Sequence, residues 1–206
     1  MQPLVLTADD VADGESWEEV RLVDTALPGI DARALGFADS ELDATDFSSA
    51  QLQSLFVIDC SLRRCNLANA AVRNGSMRRV ELDGCRLTGL AYTDGRLETV
   101  TFADCRADLA TFEATRLERV TFQRCDLREA DFRRTRFDSV AFRGCDLSRA
   151  DFAGARFSGS SEMTGCTLDG LRGVDRLRGV AMPWADIVAA AGVFAAELGV
   201  RLLEED

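Results

Sequence analysis

A large apolar side chain recurs at every fifth residue over most of this 206-residue chain. The unit is clear in the segment 125–134, CDLREADFRR, where Leu127 and Phe132 are the apolar centres. The small residues Cys125 and Ala130 stand two positions before them. A period of five matches neither the α-helix, with its ~3.6 residues per turn, nor the two-residue period of a strand. The chain must therefore change direction after every five residues.

From Phe37 to Phe157 the centres continue in one phase, with Ala107 the only weak one, and Leu22 and Leu27 keep the same phase upstream. The series contains Leu22, Leu27, Phe37, Leu42, Phe47, Leu52, Val57, Leu62, Leu67, Val72, Met77, Leu82, Leu87, Tyr92, Leu97, Phe102, Ala107, Phe112, Leu117, Phe122, Leu127, Phe132, Phe137, Phe142, Leu147, Phe152 and Phe157. Only a regular repeat architecture can bury a series of this length on one side of the backbone.

Residues twenty positions apart share their character, which predicts four units per coil and about seven coils from Trp17 to Phe157. Three columns of small or medium residues show this spacing: Cys65, Cys85, Cys105, Cys125 and Cys145; Val80, Val100, Val120 and Val140; and Ala50, Ala70, Ala110, Ala130 and Ala150, in which Leu90 interrupts the series. One extra residue at 159–161 shifts the phase, because Cys166 follows Cys145 by twenty-one. We expect a small bulge there.

This pattern resembles the pentapeptide-repeat family, in which four repeats form one square coil and the coils stack through parallel backbone pairing. The resemblance covers roughly residues 17–180. It implies an all-β solenoid, a right-handed quadrilateral parallel β-helix without enzymatic activity. We expect an N-terminal arm at 1–16, the β-helix at 17–180, and a C-terminal helix with a short strand at 181–206 that acts as a cap or dimerisation module.

The C-terminal segment changes to helical spacing after Val180. Pro183 suits the first turn of a helix and Gly199 its end. An apolar stripe is formed by Ile187, Val188, Ala191, Phe194, Ala195 and Leu198. Residues 200–203 are predicted to form the short strand.

The order of these segments resembles the C-terminal module of the quinolone-resistance pentapeptide-repeat proteins, which joins two subunits end to end. The resemblance implies a homodimer, with an interface formed by Trp184, Ile187, Val188, Ala191, Phe194 and Leu198. The alternative is a monomeric cap over the last coil, since an open coil exposes unpaired strand edges.

Composition argues against catalysis and metal binding. The chain contains no histidine, so the usual Ser-His-Asp and Cys-His nucleophile arrangements and the commonest transition-metal ligand are missing. Its seven cysteines stand mainly at inward positions of the repeat, which favours reduced core residues over a secreted disulfide framework. We expect no cofactor and no metal. The first ten residues lack a signal-peptide pattern and no apolar run suits a membrane span, so the expected location is cytoplasmic.

Charge is distributed unevenly along the chain. The net charge is −11 for residues 1–60, +4 for residues 61–160 and −4 for residues 161–206. The column of Arg96, Arg116, Arg136 and Arg156 beside Glu98, Glu118 and Asp138 is interpreted as a solvated ladder. The predicted partner-binding surface is the set of outward acids in the first coils: Asp24, Asp31, Asp39, Glu41, Asp43, Asp46 and Asp59.

Two functions fit these observations. The resemblance to the quinolone-resistance proteins implies a DNA-mimicking rod that binds a type II topoisomerase, DNA gyrase or topoisomerase IV, and modulates it or protects it from inhibitors. The alternative is a scaffold or adaptor that binds an unrelated protein. In either case the expected partner is a protein, and neither direct nucleic-acid binding nor membrane association is expected.

Overall fold

The computed structural model of the chain describes residues 3–4, 6, 10 and 13–200. It is a parallel β-solenoid of about seven turns with two short helices at the C-terminal end, which confirms the predicted fold class. The strands are β1 Pro3–Leu4, β2 Ser16–Glu18, β3 Arg21–Val23, β4 Asp31–Arg33, β5 Gly36–Ala38, β6 Glu41–Asp43, β7 Gln51–Gln53, β8 Phe56–Arg63, β9 Ala71–Arg73, β10 Ser76–Asp83, β11 Ala91–Thr93, β12 Arg96–Ala103, β13 Arg116–Glu118, β14 Thr121–Gln123, β15 Arg136–Asp138, β16 Ala141–Arg143, β17 Arg156–Ser158 and β18 Glu162–Thr164.

Every described strand pairing is parallel, and between β2 and β17 the partners stand twenty residues apart. The rod therefore has four sides, which we name by their apolar centres. Side I is centred on Leu22, Leu42, Leu62, Leu82, Phe102, Phe122 and Phe142; side II on Leu27, Phe47, Leu67, Leu87, Ala107, Leu127 and Leu147; side III on Ala32, Leu52, Val72, Tyr92, Phe112, Phe132 and Phe152; side IV on Trp17, Phe37, Val57, Met77, Leu97, Leu117, Phe137 and Phe157.

A residue with positive φ at the end of each unit turns the chain from one side to the next. Asp39, Ser49 and Asp59, for example, have φ angles of 47°, 59° and 55°. This left-handed conformation costs an L residue about 1–2 kcal/mol. The corner amide is held by the neighbouring coil, as when Asp39 donates its N–H to the carbonyl of Ile58 at 3.0 Å. Pairing between coils thus supports a conformation that an isolated unit would not hold.

The apolar centres fill the interior of the rod. In the C-terminal half, phenylalanine rings stack coil upon coil, with centroids 4.7 Å apart for Phe102 and Phe122 and 5.0 Å apart for Phe122 and Phe142. The predicted cysteine column lies inside as well, and every member from Cys65 to Cys145 is buried and free. These inward columns form one continuous hydrophobic core.

Tyr92 explains why glycine replaces other small residues at positions 75 and 95. Its ring is buried on side III and its hydroxyl donates to the carbonyl of Arg96 at 3.3 Å. A Cβ atom on Gly75 would lie 2.7 Å from Val72 Cγ1 and 2.9 Å from the Tyr92 hydroxyl. The two glycines therefore leave the room that this larger ring needs.

The two ends of the repeat differ from its regular part. β1, within the segment expected to be an arm, pairs with β3, and Leu6 is buried in the core. After β17 the register changes from twenty to twenty-one, so that Ala141 pairs with Glu162. Ser161 is buried at this bulge, where its hydroxyl accepts the amide hydrogen of Val140 and donates to the carbonyl of Ser158. The predicted bulge is therefore present.

The C-terminal segment forms two helices, not the one helix expected from its spacing. These are α1, Trp184–Ala189, and α2, Ala191–Glu197, which follow a 3-10 turn at Val174–Arg176. Ala190 is buried at the break, with φ −91° and ψ 5°, and Val193 and Phe194 pack against the core. The break at Ala190 therefore divides the predicted apolar stripe between α1 and α2. Val200 lies outside any strand, and residues 201–203 of the predicted strand lie outside the described residues.

Candidate partner-binding surface

An open concavity lies at the corner between sides IV and I, and we call it the corner groove. Here β8, β10 and β12 run through the corner as continuous eight-residue strands. The groove has a volume of about 640 Å³ and is lined by Asp39, Ser40, Glu41, Asp59, Cys60, Ser61, Arg79, Val80, Glu81, Thr99 and Thr101. Small buried side chains, Ser40, Cys60 and Val80, form its floor, so charged residues occur only on its walls.

Three of the predicted acids meet in the corner groove. Arg79 donates through Nε and Nη2 to both carboxylate oxygens of Asp59, and these bonds hold the pKa of Asp59 below its usual value. Glu41 Oε2 lies 3.4 Å from Arg21 Nε, and the Glu41 side chain is largely exposed. Asp39 has no ion pair or side-chain hydrogen bond among the described residues, and neither has Glu81 on the facing wall. The groove is therefore acidic.

The other four predicted acids lie elsewhere on the rod. Asp24 and Asp43 are on side I, where Asp43 pairs with Arg64 at 2.5 Å. Asp46 is on side II and accepts hydrogen bonds from Ser48 N and from Asn66 Nδ2, at 2.8 and 2.9 Å. Asp31 stands on side III, opposite side I. The predicted set therefore surrounds the first coils and does not form one patch.

Sequence reasoning missed an apolar surface beside the groove. The side chains of Phe56 and Ile58 flank the inward Val57 on side IV, and Phe56 is 45% exposed. Its neighbours in register are Gly36 and Ser76. An apolar residue at an outward position of the repeat was the signal that could have found it, because outward positions are otherwise mostly polar or small.

Most acids of the middle coils, in contrast, are paired with arginine. Arg124 donates Nε and Nη2 to Asp104, and Arg119 bonds both Glu98 and Glu118. These contacts lower the pKa of Asp104 and of Glu118. Side II has an ion pair of the same kind, in which Arg128 bonds Asp126 at 2.6 Å. In the arginine column on side IV, Arg96 and Arg116 form ion pairs with Glu98 and Glu118, whereas Arg136 and Arg156 have none among the described residues.

Burial encloses the thiols of the cysteine column in the core of the rod. Each buried Sγ donates to a carbonyl of the preceding coil, as Cys145 does to Phe122 at 3.4 Å. Hydrogen bonding to Cys125 and burial raise the pKa of Cys145 to about 11. Among the described residues no group of three or more His, Cys, Asp or Glu side chains could hold a metal ion. These thiols act as core packing groups.

Residues 75–152 and 96–172 match the family model described as a pentapeptide repeat region. The chain is a pentapeptide-repeat protein. The family match covers the upper and middle coils, and the strand register extends the same twenty-residue repeat down to Trp17. No curated protein matches the sequence at a significant level. Within the described residues no helix is long and apolar enough to cross a membrane.

Solved pentapeptide-repeat structures give weak overall superpositions. HetL, which is involved in heterocyst differentiation regulation in the cyanobacterium Nostoc sp. strain PCC 7120, is 17% identical, with a TM-score of 0.43 over 84% of this chain and 91% of its own. A trypsin-treated form of QnrB1, a plasmid-mediated fluoroquinolone resistance protein, is 17% identical, with a TM-score of 0.42 over 92% of this chain and 100% of its own.

The predicted dimer interface of this pentapeptide-repeat protein lies at the C-terminal end. Trp184 is 76% exposed, Val188 55% and Leu198 80%. Ile187 and Phe194 are half-buried, Phe194 against the core, and Ala191 is exposed. The segment thus divides into residues that cover the last coil and large apolar side chains that face solvent.

Proposed function

We propose that this protein is a non-enzymatic interaction protein whose first coils bind a type II topoisomerase, DNA gyrase or topoisomerase IV, in place of duplex DNA. The observation that carries the proposal is the contrast in ion pairing. Among the described residues, carboxylates such as Asp24, Asp31 and Asp39 have no arginine partner, while the acids of the middle coils are mostly bonded to arginine. Unpaired carboxylates are the groups that can replace phosphates on a basic protein surface.

The repeat supplies the regular spacing that such mimicry needs. Stacked coils place equivalent outward residues about 4.8 Å apart along the rod. Lysine and arginine side chains that hold a series of phosphates would then meet a series of carboxylates, and association should weaken as salt rises. The partner itself is named by the resemblance of the C-terminal segments to those of the quinolone-resistance family.

The test neutralises the unpaired acids of the first coils in one variant with Asp24→Asn, Asp31→Asn and Asp39→Asn. We expect reduced binding to gyrase, and reduced protection or modulation of supercoiling, with an unchanged melting curve because surface substitutions usually alter stability by ~0.5 kcal/mol or less. The matched control carries Glu98→Gln, Glu118→Gln and Asp138→Asn. Equal loss in the control would show a general charge effect, and a supercoiling reaction that never responds to the wild-type protein would refute the topoisomerase proposal.

We further propose a homodimer joined through the C-terminal helices, since Trp184, Val188 and Leu198 leave large apolar side chains in water. Leu198→Asp should give a monomer in light scattering, because a charge in an apolar interface is costly to bury. Leu198 is preferable to Phe194 for this test, since Phe194 also packs against its own core. A wild-type protein that is monomeric at micromolar concentration would leave the segment as a cap.

One observation favours the second candidate, an adaptor for an unrelated protein. A phosphodiester backbone has no apolar group that corresponds to the exposed Phe56, whereas protein interfaces are enriched in aromatic residues. A gyrase assay without response, combined with binding through the corner groove, would support this candidate.

A further inference from the structure

We propose that the corner groove, together with Phe56 and Ile58, binds an extended segment of a partner protein in which arginine or lysine alternates with large apolar residues. The inference rests on the proposed role of the first coils in partner binding, and it adds the chemistry of the segment that is recognised.

The apolar half of this surface is Phe56 and Ile58, which we call the apolar ledge. Fold stability does not need these side chains, because the inward position of the unit is taken by Val57. In register with Phe56 are Gly36 in the coil below and Ser76 in the coil above, and in register with Ile58 are Ala38 below and Arg78 above. Phe56 therefore projects beyond its smaller neighbours on the side of the rod next to the groove, where the ledge can cover an apolar side chain.

The charged half consists of the groove walls. Asp39 and Glu81 have no ion pair within the described chain, whereas Glu41 forms one with Arg21 at 3.4 Å. The only cation among the lining residues, Arg79, is bonded to both oxygens of Asp59. A cationic side chain entering the groove would meet carboxylates that have no competing partner, and the uncharged floor of Ser40, Cys60 and Val80 would not repel it.

The length of the groove favours an extended segment. Its lining extends over four coils, from residues 39–41 to residues 99–101. With coils ~4.8 Å apart this is about 15 Å, the length of four or five residues in a strand at ~3.3 Å per residue. In such a segment alternate side chains point to opposite sides, so cations could enter the groove while the apolar residues lie on the ledge.

The probe is a fluorescein-labelled, amidated peptide of sequence Arg-Leu-Arg-Leu-Arg, titrated with the full chain and followed by fluorescence anisotropy. Phe56→Ser introduces the residue type that the coil above has at the equivalent position, Ser76. It should weaken peptide binding about tenfold through the lost apolar contact. Asp39→Asn combined with Glu81→Gln should weaken it similarly and reduce its dependence on salt. Leu109→Ser and Asp94→Asn are the matched controls, an exposed apolar residue and an unpaired acid on other sides, and should bind like wild type.

Three peptide-binding results would overturn the inference: no binding of the peptide to wild type, equal weakening by the control variants, or equal binding of a peptide with glutamine in place of arginine. Loss of a dimer on Phe56→Ser would assign the ledge to a second copy of the chain and would equally refute it. Melting curves show that each variant is folded. Because no topoisomerase is present in this assay, its outcome does not depend on whether gyrase is the partner.

Discussion

The lower coils, residues 13–94, and the upper coils, residues 95–157, share one backbone but differ inside and outside. Leucine is the commonest centre in the lower coils, whereas phenylalanine dominates in the upper coils and stacks from coil to coil. Lower acids often lack an ion pair, and upper acids are mostly bonded to arginine. The repeat thus constrains the corners and the inward positions, while interior packing and surface charge vary independently along it.

The two interiors should differ in packing as well as in residue type. Two small internal cavities, of about 20 and 10 Å³, are lined by residues from Phe37 to Phe112, mainly by branched aliphatic side chains. Cavities of this size hold at most one water molecule, and their apolar walls give it no hydrogen bond. In the upper coils, Phe132 stacks between Phe112 and Phe152, with centroids 5.3 and 5.0 Å away.

The largest effect should come from breaking the aromatic stack. Phe132→Ala should destabilise the protein by about 3–5 kcal/mol, because it opens a cavity and removes two stacked contacts. Leu52→Ala, on the same side of the lower coils, is the matched variant and should cost about 1 kcal/mol less, since leucine makes no aromatic pair. Urea unfolding measures both. Equal losses would mean that the two interiors are energetically alike despite their different residues.

A smaller effect is expected at one corner column of side II, where the lower coils have Gly29, Ser49, Asn69 and Gly89. The next corner up is Leu109, with φ 60° and 54% of its surface exposed. Leu109→Gly should stabilise the protein by about 1 kcal/mol, because it relieves the left-handed strain of an exposed residue without losing packing. The reverse change, Asn69→Leu, should cost a similar amount. Thermal melting that shows loss of stability in Leu109→Gly would contradict this account of the corners.

Much of the fold follows from the five-residue and twenty-residue periods, but the candidate site does not. The centres and columns predict the coils and the bulge after Phe157. These periods do not reveal that β8 and β10 continue through the corner at Asp59 and Arg79, where the groove lies. The inward residues are of the same small type at this corner as at the others, so the sequence does not distinguish it. The charge pairing could have been found, since Asp59 and Arg79, like Asp104 and Arg124, stand twenty apart. The break at Ala190 depends on burial against the last coil, which helical spacing does not encode.

The smallest effect concerns the ion pairs that distinguish the upper surface. Bonds from Arg128 lower the pKa of Asp126, so this carboxylate stabilises the folded state above its unfolded pKa of ~3.9 and loses that contribution as pH falls through the lower folded value. Asp126→Asn should therefore be less stable than wild type at pH 7, by no more than about 1 kcal/mol because the pair is partly exposed. The difference should vanish under strong acid, where the wild-type side chain is neutral too. Chemical denaturation across this pH range measures it, with Asp94→Asn, an acid without an ion pair, as the matched control. If the stability difference between Asp126→Asn and wild type persists in acid, the effect comes from lost hydrogen bonds to the backbone and not from charge. The ion pairs of the upper surface would then add no stability that the unpaired lower surface lacks.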